Sequence, residues 1–190
     1  MSNCARSSKD GVKTPGRSDL DLFGSLSDCQ SVEELHAATT RTVKQLGFEH
    51  FIYGVRVNLP LTQPYQFVLS GYPKEWWARY IEAGYEGIDP AVLHCCRDRR
   101  VTPMIWRNQG FRNGMVAKLW GEAKELGLAS GVTFPVQGNN AEIALLSLAT
   151  SRSPRQANRD ITDTLGQSQL LTYYLHDAVQ RVVLSRLVNH

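Results

Sequence analysis

The sequence contains no paired cysteine motif, no long apolar run and no glycine-rich phosphate loop, and each absence removes a class of function. Its four cysteines are Cys4, Cys29, Cys95 and Cys96. They make no CxxC pair and no metal-ligand spacing, and the adjacent Cys95 and Cys96 are poorly placed to bridge each other, so a reduced compartment fits. The five histidines, His36, His50, His94, His176 and His190, show neither HxxxH nor HxH spacing, which argues against a metal site. Without GxGxxG or a Walker-type loop, the strongest nucleotide signals are missing. The longest apolar runs, such as Ile143–Ala149, fall far short of the roughly 20 residues that cross a bilayer. The first 30 residues hold no apolar signal-peptide core, so the expected location is the cytoplasm.

Surplus charge is also scarce. The net charge is +3, and Arg6, Lys9, Lys13 and Arg17 less Asp10 account for all of it. The rest of the chain is neutral overall, and its one basic run, Arg97, Arg99 and Arg100, is broken by Asp98. Nucleic-acid binding needs a more concentrated basic surface than this. Residues 1–17 are rich in Ser, Gly, Lys and Arg and hold too little apolar surface to offset ordering entropy, so they are expected to form a disordered tail. Residues 18–190 are expected to form one domain, since 190 residues at 42% apolar composition suit a single core.

Within that domain the patterning alternates between helix and strand periods. Ser31 and Glu34 have capping-box spacing, and Val32, Leu35, Thr39, Val43 and Leu46 recur at intervals of three and four, predicting a helix that Gly47 ends. Phe51, Tyr53, Val55 and Val57 alternate as in a strand, and Gln66–Leu69 is expected to return antiparallel. Pro73 and Asp89–Pro90 suit the starts of helices near 74–84 and 90–97. Val116, Leu119, Trp120, Ala123 and Leu126 mark a helix stopped by Gly127. Residues 130–136 and 141–149 read as a hairpin about Gln137–Asn140. From Pro154 onward, Ile161, Leu165, Leu171, Leu175, Val179 and Val182 predict one long, mainly helical stretch. This order implies an α+β domain, with a largely antiparallel sheet covered by helices on both faces.

The most unusual feature lies between Tyr72 and Trp106. Tyr72, Trp76, Trp77, Tyr80, Tyr85 and Trp106 crowd this stretch, which holds three of the four tryptophans. On a helix beginning near Pro73, Trp76 and Tyr80 share a face and Tyr72 sits one turn earlier. Such a cluster can be plain core packing. However, a dry core tolerates few indole N–H and phenol O–H groups, because each needs a partner once buried, and a ligand with polar groups would satisfy them. Asp89 can cap the helix at Pro90 with one carboxylate oxygen and accept a ligand N–H with the other. Ser147 falls on an apolar strand face, where a buried hydroxyl needs a partner. Because it lies mid-strand and outside any GxSxG turn, it does not read as a nucleophile. No catalytic residue and no cofactor are expected, and the chain does not read as an enzyme.

Tyr72–Pro73, Trp76, Tyr80, Tyr85, Asp89–Pro90 and Pro103-x-x-Trp106, at these spacings, resemble the ligand-binding signature of LuxR-type acyl-homoserine-lactone receptors. The resemblance extends through Gly47–Phe48, Tyr53–Gly54, Glu122–Ala123, Gly127–Leu128, Gly131–Val132 and Leu146–Ser147–Leu148, covering roughly residues 20–185. It implies an α-β-α sandwich whose five-stranded antiparallel sheet walls a closed cavity for an N-acyl homoserine lactone. By the same resemblance, Trp76 donates its indole N–H to the lactone carbonyl and Asp89 accepts from the amide N–H. Tyr72 and Ser147 donate to the amide or acyl oxygens, and Trp106 packs along the lactone ring. Ile52, Gly54, Phe67, Leu69, Tyr80, Val92 and Leu145 line the acyl tunnel.

Ala91 stands where some relatives have threonine and Trp77 where some have arginine, while Gln66 brings a long polar side chain toward the tunnel. The implied partners are the small-molecule autoinducer and a second copy in a homodimer, partly through the C-terminal helix. No membrane is expected, and DNA would be reached only through a helix-turn-helix domain, which these 190 residues do not contain. The alternative is a short homologue that heterodimerises with intact receptors and titrates them.

Overall fold

The computed structural model describes residues 18–58, 63–106, 114–138 and 142–186. Residues 1–17, expected to be a tail, and the centre of the 137–140 turn lie outside these. Helix α1 (Ser18–Ser27) precedes α2 (Val32–Gln45), strand β1 (His50–Val57), β2 (Tyr65–Ser70) and α3 (Lys74–Glu82). After a single 3₁₀ turn, the short α4 (Pro90–Val92) runs into a π-helical turn, Leu93–Arg97, where the sequence predicts one regular helix. β3 (Met104–Ile105), α5 (Gly114–Glu125), β4 (Ser130–Gln137), β5 (Glu142–Thr150), α6 (Pro154–Asp163) and α7 (Leu165–Val182) complete the order.

Local signals explain most of these boundaries. Ser31 Oγ accepts from Glu34 N at 3.2 Å, and Glu34 Oε2 accepts from Gln30 N at 2.7 Å, which satisfies two donors at the start of α2. Gly47 leaves the helix with φ +87°, a conformation that costs glycine little. The stretch expected to be one helix after Pro154 is two. Thr164, at φ −104° and ψ 5°, breaks it, and its hydroxyl donates to Asp160 O at 2.8 Å. Apolar spacing continues across that break, so periodicity alone does not reveal it. α1 is not anticipated by the sequence reading.

The strands form one antiparallel sheet in the order β2-β1-β5-β4-β3. Four of the five strands are legible from residue patterning. β3 is only two residues long, pairing Met104 with Thr133 and Ile105 with Val132, too short to leave a period. Pro135, just beyond this pairing on β4, has no N–H with which to extend the ladder.

Strand alternation divides the sheet into two faces. On one, Tyr53, Phe134, Leu146 and Leu148 are fully buried against Leu171, Leu175 and Val179 of α7, with Phe23 and Leu35 from α1 and α2 in the same core. Each such side chain contributes roughly 1.5–3 kcal/mol by leaving water. A polar group ties α7 to this face: Tyr53 Oη and His176 Nδ1 are 2.7 Å apart, and Gln180 Nε2 donates to Glu142 Oε2 at 2.7 Å. Burial lowers the His176 pKa, although Glu142 and Asp177 pull the other way. On the opposite face, α3 and α5 build a second, aromatic core, and there the sheet and helices do not close completely on each other.

Candidate ligand-binding site

A cavity of about 510 Å³ lies between the second face of the sheet and α3, α4 and α5. That volume is within the range of small-molecule sites, roughly 300–1,000 Å³. β1 contributes Ile52, Gly54 and Arg56, and β5 contributes Ile143, Leu145 and Ser147, the alternate residues to those in the packed core. A Cβ built on Gly54 meets nothing within 4 Å, so this position leaves room beside the strand.

α3 supplies the aromatic wall. Trp76 and Tyr80, one turn apart, are buried with ring centroids 5.8 Å apart in an edge-on arrangement, while Trp77 stacks on Tyr80 at 5.7 Å. Tyr85 packs against Trp76, and its hydroxyl donates to Glu122 Oε2 at 2.8 Å, fastening this wall to α5. Burial and that carboxylate push the Tyr85 pKa up to about 12.

Asp89 both caps and faces the cavity. Its Oδ1 accepts from Ala91 N at 2.8 Å, as the Asp–Pro sequence predicts, and its Oδ2 accepts from the Tyr80 hydroxyl at 3.0 Å. Tyr80, expected to be only a tunnel wall, therefore also holds the carboxylate. Burial raises the Asp89 pKa, and the hydrogen bonds from Ala91, Tyr80 and Val92 oppose that rise. The Tyr72 hydroxyl is buried beside Asp89 and Ser147 without a well-formed hydrogen bond. Its pKa is raised well above the usual phenol value by burial and by the Asp89 charge.

Trp106 leaves β3 over the sheet. Its backbone N–H bonds Gly131 O at 2.9 Å, and its ring lies where a Gly131 side chain would stand, with Cε3 2.8 Å from an ideal Cβ. The Trp106 indole N–H donates to Thr133 Oγ1 at 2.9 Å, and Thr133 Oγ1 is 2.8 Å from Ser147 Oγ. Trp120 of α5 packs beside Trp106 at 5.1 Å.

Of the residues singled out from the sequence, Tyr72, Trp76, Asp89, Trp106, Ser147, Tyr80, Ile52, Gly54, Phe67, Val92 and Leu145 border this cavity. Phe67 does so while packing against the first core. Leu69 does not border it: pairing with Tyr53 places it on the packed face, where it is buried in the first core. Its neighbours Gln66 and Val68 occupy the cavity face instead. Thr133, Leu119, Trp120 and Leu128 are not anticipated by the sequence reading. Thr133 becomes visible only through the register that sets it opposite Ser147, whereas the other three look like ordinary core positions on or after a helix.

The residues that line the cavity differ in exposure. Trp76 and Ser147 are buried and the buried Tyr72 hydroxyl lies near Asp89 and Ser147, while Arg56, Gln66, Ile81 and Glu86 are exposed. Among the described residues, no group of His, Cys, Asp and Glu could hold a metal ion, and no helix is long and apolar enough to cross a membrane.

An α-β-α sandwich with an aromatic, polar-tipped cavity on one sheet face is the architecture of a ligand-sensing domain. Residues 31–179 match the family model described as the autoinducer binding domain, so the chain belongs to that family, the sensor domain of LuxR-type quorum-sensing regulators. It is 35% identical over 113 residues to the HTH-type quorum-sensing regulator RhlR of Pseudomonas aeruginosa, covering 60% of this chain and 45% of that protein. It is 26% identical over 163 residues to the transcriptional activator AnoR of Acinetobacter nosocomialis, covering 86% and 67%. The match to RhlR thus spans less than half of that relative's length. Among solved structures, the N-acylhomoserine lactone dependent LuxR-family factor CepR2 of Burkholderia cenocepacia superposes with a TM-score of 0.68 at 23% identity, covering 89% of this chain and 96% of that one. SdiA in complex with octanoyl-rac-glycerol gives 0.69 at 21%, covering 86% and 65%. These structural likenesses establish the shared fold.

Proposed function

We propose that this domain binds an N-acyl homoserine lactone in the cavity and, as part of a quorum-sensing regulator, couples that binding to dimerisation and transcription. One observation carries the reading. A cavity lined mostly by apolar side chains gathers an indole, a phenol, a carboxylate and a hydroxyl, the set needed to read a lactone and an amide together. Trp76 would donate to the lactone carbonyl, Asp89 would accept the amide N–H, and Tyr72 and Ser147 would donate to the acyl oxygen. Trp106 would wall the ring. The acyl chain would run past Ile52, Gly54, Leu145 and Val92, where burial contributes roughly 0.8 kcal/mol per methylene.

Exposed Leu170 and Tyr173 on α7 support a homodimer contact along that helix. The test is thermal unfolding with N-acyl homoserine lactones of varied chain length, together with mass spectrometry of co-purified small molecules. Binding to the folded state should raise the melting temperature as lactone concentration rises. No shift with any chain length, and no lactone in the extract, would sink the reading.

A further inference from the structure

The cavity carries a hydrogen-bond relay whose direction can be worked out by counting protons. Trp106 Nε1 can only donate, so Thr133 Oγ1 must accept from it across their 2.9 Å contact. Thr133 then has one hydroxyl proton, and its remaining partner among the described residues is Ser147 Oγ at 2.8 Å. If Ser147 donated to Thr133, the Thr133 proton would be left without an acceptor in a side chain that is fully buried. Leaving a buried donor unsatisfied is the costlier arrangement. The relay therefore runs Trp106 N–H to Thr133 O–H to Ser147, and the Ser147 proton is free to point into the cavity, beside the Tyr72 hydroxyl.

We infer that Thr133 is a positioning residue that fixes Ser147 as a hydrogen-bond donor, so that this corner of the cavity favours a carbonyl oxygen. Asp89, whose charge also acts on Tyr72, imposes the opposite demand and calls for an N–H. The two together select a group that offers a donor and an acceptor side by side, which is what a secondary amide does. The same hydroxyl holds Trp106 in place, so one residue sets both the ring wall and the polarity of the amide site. The assignment rests on the proposed lactone reading.

A double-mutant cycle on the whole chain tests it, with N-octanoyl homoserine lactone as the probe and titration calorimetry as the measurement. Thr133→Val, which keeps the branched shape and removes the hydroxyl, should weaken binding about tenfold, and Ser147→Ala should do the same. The double variant should be no worse than either single one, because both act through one bond. Thr133→Ser should bind within about threefold of the parent. Multiplying losses, or undiminished binding by a folded Thr133→Val, would overturn the inference. A ligand-free measurement separates it from the lactone reading. The Trp106 indole N–H resonance should shift in Thr133→Val and return in Thr133→Ser, and an unmoved resonance overturns the relay. If the variants behave in this way yet the parent protein binds no lactone, the relay stands and the lactone reading is overturned, and the demand for a carbonyl with it.

Discussion

β1 serves two unlike regions at once. Phe51, Tyr53, Val55 and Val57 are buried in the core packed against helices, while Ile52, Gly54 and Arg56, one residue out of step, border a cavity that Val55 also touches. The packed face is dominated by aliphatic side chains held between sheet and helix. The cavity face is lined by tryptophan, tyrosine and polar tips. One strand thus separates a packed face that stabilises the fold from a face that borders the cavity. Neighbouring substitutions should therefore have different consequences.

The adjacent residues Leu146 and Leu145 provide the strongest test. Leu146→Ala removes a fully buried side chain from the packed face and should lower unfolding free energy by about 2–5 kcal/mol in urea denaturation, with or without lactone. Leu145→Ala, facing the cavity, should cost clearly less stability and act mainly on affinity. Equal losses would erase the distinction between the faces.

Next in size are the polar residues proposed to contact the ligand. Trp76→Phe and Asp89→Asn should each weaken lactone binding by about 1–3 kcal/mol in calorimetry. Asp89→Asn should leave the ligand-free protein at least as stable at neutral pH, because Asn can still cap α4 and the desolvated charge is gone. Gly54→Val comes third. With open space at its Cβ, it should fold normally yet bind N-dodecanoyl homoserine lactone about tenfold more weakly than N-butanoyl homoserine lactone, relative to the parent. Equal changes for both would remove Gly54 from the acyl path.

The smallest expected effect is the pH dependence, which has opposite signs on the two faces. His176 has a folded pKa below its ordinary 6.5, so the unfolded chain binds the proton more readily. Its contribution is fully present above about pH 6.5 and is lost as pH falls through the folded value. Asp89, raised above 3.8, is the reverse: the folded state holds the proton more tightly, and that contribution fades as pH rises from about 3.8 through the folded value. Thermal unfolding between pH 8 and 5 should be less pH-dependent in His176→Gln than in the parent. An identical slope would show that the buried histidine does not titrate in that range.

The sequence made the cavity's aromatic wall legible because Trp76, Tyr80 and Asp89–Pro90 are close together on the chain and their roles follow from helix spacing and capping. Ser147 could be placed on the correct strand face by alternation alone. Leu69 could not, because its face depends on its register with Tyr53, and the residues of a short strand between prolines leave that register open. Thr133 illustrates the same limit. A threonine in a strand of mixed small and apolar residues has no mark of function until pairing sets it opposite Ser147 and Trp106 folds back over Gly131. The break at Thr164 escaped for another reason: the helices on either side present the same apolar face, so the pattern runs straight through it.

The brevity of β3 has a consequence for solubility. A sheet edge with regular unpaired backbone groups can recruit strands from other chains, and natural proteins blunt such edges with short strands and proline. Here β3 pairs only Met104 and Ile105 with β4, the Trp106 N–H adds a bond to Gly131 O, and toward the other end Pro135 has no N–H to offer. The edge next to the Trp106 wall is thereby a poor template for aggregation.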